Sequence, residues 1–116
     1  GRGTRKLTIT SGGKRAVNKW LCADPSSIAS ATPDPIRTRC AFLPLLKREE
    51  RATFLAAALA STEAALADAE ATREQRLKAG QGLMQHLVSE GVLYELRARR
   101  DWLRMVLRNL SELEEN

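Results

Sequence analysis

From Arg48 to Lys78 the chain has no Gly and no Pro and is dense in Ala, Leu, Glu and Arg. Nothing in such a run stops an α-helix, and these residues are among the strongest helix formers. At about 1.5 Å per residue the helix would reach roughly 45 Å, too long to be enclosed by a compact bundle of this size. Gly80-Gln81-Gly82 breaks the run, and a second long helix is predicted from about Leu83 to Leu113. A composition that is 43% hydrophobic but only 4% aromatic favours packed helices over a sheet-based core. The expected fold is all-α: long antiparallel helices forming a dimeric coiled-coil-like domain, with one short N-terminal strand.

The two helices differ in the width of their apolar faces. Leu55, Leu59, Thr62, Leu66 and Ala69 recur at alternating spacings of four and three, the narrow seam of a coiled coil. In the second helix Leu83, Leu87, Tyr94, Ala98, Trp102, Met105 and Val106 form one stripe. Leu93, Leu96, Leu103, Leu107 and Leu110 widen it beyond half the circumference. Gly91 is tolerable there but weakens the helix by about 1 kcal/mol relative to Ala. A hairpin of two unequal faces leaves Leu and Trp in water, so a second copy of the chain is the natural cover and a homodimer is expected. Leu55, Leu59, Leu66, Leu96, Trp102, Leu103 and Val106 are placed in the core, within or between chains. Trp20 and Trp102 could line an effector pocket, but large aromatics at helical spacing are more often core or interface anchors.

Upstream, Asp34-Pro35 is a helix start, with Asp as N-cap and Pro at the first helical position. Ile36, Cys40 and Leu43 follow as an apolar stripe, and Pro44 should kink or end that helix. Asp24 to Pro33, "DPSSIASATP", reads as a loop. Before it, "LTITSGGKRAVNKWL" runs from Leu7 to Leu21. Leu7 and Ile9 alternate with Lys6, Thr8 and Thr10 as in a half-buried strand, although a lone strand is not stable in water. Thr10 offers a capping hydroxyl to a helix beginning near Ser11, with Val17, Trp20 and Leu21 on one face.

Residues 1–21 hold six Lys/Arg and no acid: Arg2, Arg5, Lys6, Lys14, Arg15 and Lys19. The net charge of +5 therefore resides in the first fifth of the chain. Such asymmetry fits a polyanion partner, or a solvated tail that only keeps the protein soluble. Cys22 and Cys40 have no CxxC spacing, so they read as buried thiols of a reducing compartment and not as a disulfide or zinc site. His86 stands near the Gly-rich turn without a second His, and is expected at the surface. Ser11-Gly12-Gly13-Lys14 lacks the spacing of a phosphate loop. No nucleophile–base set and no metal cluster is visible, so neither an enzyme nor a cofactor is expected. With no apolar run long enough to span a bilayer and no signal peptide, the chain reads as cytoplasmic. It also lacks an initiator Met and is expected to be a fragment or a processed product.

"LTITSGGKRAVNKWL" resembles the wing-to-helix junction of PadR-type transcriptional regulators, roughly aromatic-x-Leu-Thr-x-x-Gly-x-x-x-Leu-x-x-Trp-Leu. Ile9, Thr10, Gly13, Val17, Trp20 and Leu21 fall on that pattern in register, with Val17 for Leu and Leu7 for the aromatic. "DPIRTRCAFLPLL" is similar to the segment after the family's linker. "EERATFLAAALASTEAALADAEA" and "LYELRARRDWLRMVLRNLSELE" resemble its two long C-terminal helices, Trp102 included. The resemblance implies that residues 1–23 end a winged-helix DNA-binding domain, 24–33 form a linker and 34–116 form a helical dimerisation and effector domain. It further implies that Arg5–Thr10 is a wing strand parted from its mate, and that the recognition helix lies outside this chain. Arg2, Arg5 and Lys6 would then touch DNA phosphates, which position a protein without reading sequence. The rival reading is a stand-alone helical adaptor that binds another protein, with the basic end as a docking tail.

Overall fold

The computed structural model describes residues 8–110 and 112. The chain divides into two compact units, one ending at Pro33 and one beginning at Asp34.

In the first unit α1 spans Ser11–Leu21. The Thr10 hydroxyl accepts from the Gly13 N–H at 3.0 Å and satisfies one of the orphan donors of the first turn, the cap its sequence calls for. The Ser-Gly-Gly-Lys stretch is thus an ordinary helix start, with the Lys14 N–H bonded to the Thr10 carbonyl at 2.8 Å. The expected strand is not found. Among the described residues there is no strand: Thr8, Ile9 and Thr10 enter α1 as irregular backbone, and the rest of the expected strand lies outside the described residues. With no second strand to complete a ladder, alternation alone cannot hold the β form. No residue of α1 is buried, and Trp20 is 76% exposed. The stretch read as a plain loop contains one 3₁₀ turn, Pro25–Ser27, whose start is capped by Asp24.

In the second unit α2 spans Pro35–Cys40, a 3₁₀ turn spans Leu43–Leu45, α3 spans Arg48–Lys78 and α4 spans Leu83–Arg108. Asp34 caps α2 through Oδ1, which accepts from the Ile36 N–H at 2.8 Å. That helix ends at Cys40, before Pro44, which sits within the 3₁₀ turn. Glu50 reaches back to accept the Lys47 N–H at 3.0 Å at the start of α3. Gly80, at φ +81°, supplies the left-handed residue that ends the helix.

The long helices pack antiparallel, since Arg73 pairs with Glu90 and Glu70 with Arg97 while Leu55 shares a cluster with Leu103. The core lies at the end remote from the Gly80–Gly82 turn. Leu43, Leu55, Ala58 and Leu103 are its buried members, ringed by Ile36, Cys40, Phe54, Leu59, Trp102, Val106, Leu107 and Leu110. α2 and the 3₁₀ turn therefore close that end of the hairpin. Arg51 ties the closure down: its Nε donates to the carbonyls of Leu43 (3.1 Å) and Leu46 (3.0 Å), and its Nη2 to that of Pro44 (3.2 Å). Farther along, Thr62, Leu66 and Leu93 are buried, and the Thr62 hydroxyl donates to the Ala58 carbonyl at 2.8 Å.

Candidate association surface

α4 carries two apolar faces. Leu93 and Leu103 are buried against the rest of the hairpin, with Leu96 and Leu107 half-buried beside them. Roughly opposite, at 3.6 residues per turn, lie Leu83 (71% exposed), Leu87, Tyr94 (70%) and Met105. Gly91 and Ala98 lie on that second face and are exposed. Met84 and Val88, each 68% exposed, broaden it toward the turn. α3 cannot cover this face, because a narrow helix contacts one side of its neighbour only. An open depression of about 680 Å³ near the turn is lined by Arg76, Gly80, Gln81, Met84, Gln85 and Val88 among others.

The core residues expected from sequence fall into two groups. Leu55, Leu66 and Leu103 are buried within one chain, while Leu59, Leu96, Trp102 and Val106 are half-buried. On α3 the inward row is Leu55, Ala58, Thr62 and Leu66, so Ala58 takes the buried place that strict heptad spacing gives to Leu59. Trp102 and Val106 pack against the core cluster and are not the side chains left in water. Arg2, Arg5 and Lys6 lie outside the described residues, whereas Lys14, Arg15 and Lys19 are exposed on α1.

Polar groups sort by position along the hairpin. Arg73 Nη1 donates to Glu90 Oε1 at 3.0 Å, bridging α3 and α4 near the turn. His86, expected at the surface, is half-buried, and its Nδ1 is shielded from solvent without a hydrogen-bond partner among the described residues, as are Arg73 Nε and Gln81 Oε1. At the closed end Arg99 Nε donates to Asp34 Oδ2 at 3.0 Å, so one carboxylate caps α2 and holds α4. Burial pushes the Asp34 carboxyl up, but the Ile36 N–H, the Arg99 guanidinium and the Arg37 N–H outweigh it and hold the group below its ordinary value. Burial, and then the Asp34 charge, push the Cys40 thiol up. Cys22, read as a buried thiol, is exposed.

A second, smaller apolar pocket of about 300 Å³ lies at the closed end, lined by Arg39, Phe42, Leu43, Leu45, Leu46 and Phe54. Sequence reasoning missed it and the Arg51 staple alike, since both arise where the 43–46 turn folds back on α3. Among the described residues no group of His, Cys, Asp and Glu could hold a metal ion, and no helix is long and apolar enough to cross a membrane. Comparison with family models, with curated proteins and with solved structures finds no match to this chain.

Proposed function

We propose that the chain is the association module of a PadR-like transcriptional regulator, holding two DNA-binding heads at a fixed separation through a homodimer of the α3–α4 hairpin. The observation that carries this reading is the second apolar face of α4, exposed along most of the helix after α3 has been packed. An apolar stripe of that length on an isolated chain marks an interaction site or an aggregation liability. A second copy covers it with a closed, self-complementary contact.

Two further features support the regulator reading. The family's junction pattern holds in register through Trp20 and Leu21, and α1 carries Val17, Trp20 and Leu21 exposed beside Lys14, Arg15 and Lys19. A helix with that pairing of faces suits the edge of a larger DNA-binding domain, with apolar side chains toward its body and basic ones toward phosphates. Spacing between half-sites would follow from the geometry of the dimer. Arg2, Arg5 and Lys6 would add phosphate contacts whose strength falls steeply with salt.

Sedimentation or light scattering tests the reading directly. The expected mass is twice the 12.8 kDa of one chain. A well-folded monomer at tens of micromolar would overturn it.

A further inference from the structure

Gly91 has no reason to be glycine within its own chain. It lies inside α4, it is not a positive-φ residue, and a Cβ built on it meets nothing within 4 Å. Glycine is nonetheless a poor residue for a helix interior, because the unfolded chain gives up more backbone freedom there than with alanine. A position that is open inside the chain and unfavourable to its own helix points to something outside that needs the space.

Its neighbours on the exposed face are Leu87, Tyr94 and Ala98, spaced as a coiled-coil seam and alternating in size: large, none, large, small. We propose that this seam receives the same seam of a second copy running antiparallel, with Tyr94 of each copy seated over Gly91 of the other and Leu87 over Ala98. The proposal rests on the association reading above and adds to it the direction, the register and the residues in contact.

Size decides the direction. Antiparallel pairing in this register sets each large side chain over a small one in all four layers. A parallel pair would stack Tyr94 on Tyr94 and leave an empty layer at Gly91, and packed interfaces tolerate neither overfilling nor voids well. Charge agrees with size. In an antiparallel coil the flanking positions on one edge face the same edge of the partner, which brings Glu90 opposite Arg97 twice, once on each side of the two-fold axis. Both side chains are already held at that edge, Glu90 by Arg73 at 3.0 Å and Arg97 by Glu70 at 3.7 Å. On that edge the second copy thus extends an alternating row of charges and strips no lone ion. Asp101, held by Arg100 at 3.0 Å, ends the apolar run and bounds the contact.

The test uses the full chain with Cys22→Ser and Cys40→Ala, first matched to wild type in helicity and mass. Leu87→Cys and Ala98→Cys are made separately, mixed in equal amounts, equilibrated and oxidised. The mixture should give a cross-linked dimer, and each variant alone should give at least tenfold less. If each cross-links alone as well as in the mixture, the pairing is parallel and the proposal falls. If the protein is dimeric by mass but the mixture does not cross-link, this seam is wrong although the association reading stands; a monomer ends both. Independently, Gly91→Leu in the otherwise native chain should keep its helicity and weaken the dimer at least tenfold by sedimentation. An unchanged dissociation constant overturns the proposal.

Discussion

The two ends of the α3–α4 hairpin are built on opposite plans. At one, Leu55 and Leu103 have no exposed surface, because α2 and the 3₁₀ turn fold over them and Arg51 fastens the turn by three carbonyls. At the other, near Gly80–Gly82, Leu83, Met84, Leu87 and Val88 stand in water, and polar contacts such as Arg73–Glu90 bridge the helices. Both ends draw on the same residue types. What separates them is a third element at the closed end, which supplies the apolar surface that a second helix alone cannot. A two-helix hairpin satisfies one face of each helix, and any further apolar face needs further chain, from the same molecule or another.

The sharpest way to break this contrast is truncation at each end. Leu103→Ala should destabilise the hairpin by about 2–5 kcal/mol, since it leaves a cavity in a site ringed by well-packed neighbours. Leu87→Ala, measured by urea titration at concentrations low enough to exclude association, should change stability by under about 0.5 kcal/mol. Equal effects would mean that the open end is packed after all. A smaller loss is expected at the staple: Arg51→Lys keeps the charge but not the planar fork and should lose about 1–2 kcal/mol by thermal melting followed by circular dichroism. Weaker than the staple is the link between α2 and α4. Asp34→Asn retains capping but removes the charge facing Arg99, and should lose less than about 1 kcal/mol at neutral pH. Because the folded carboxyl titrates below its ordinary value of 3.8, its contribution is present above that value and is lost as pH falls through the folded pKa. The gap between wild type and Asp34→Asn should therefore close in acid, and a gap that persisted would show that charge is not its source.

Local chemistry was readable in advance. Thr10 and Asp34 cap helices because a short oxygen-bearing side chain before a helical run has few better uses, and Gly80 ends one because left-handed backbone favours glycine. Long-range choices were not readable. Periodicity alone could not say that Ala58 rather than Leu59 takes the fully buried place, since a close-packed antiparallel pair can use a small residue on the inside and leave a larger one half-buried at the flank. Nor could it place Trp102 and Val106 against the core, which required the turn at Leu43–Leu45 to come back over α3. The expected strand has no support at Thr8–Thr10, the part of it that lies within the described residues, because a strand needs a partner that alternation by itself does not supply. On the exposed face of α4 the residues were legible as apolar, but their separation from the buried leucines appeared only once α3 had taken its side.

Asp34 lies where the second unit begins, and its carboxylate reaches Arg99 across 65 residues of sequence. One side chain thus joins the entry of α2 to the flank of α4 without passing through α3, beside the packing of Ile36 and Cys40 on the shared core.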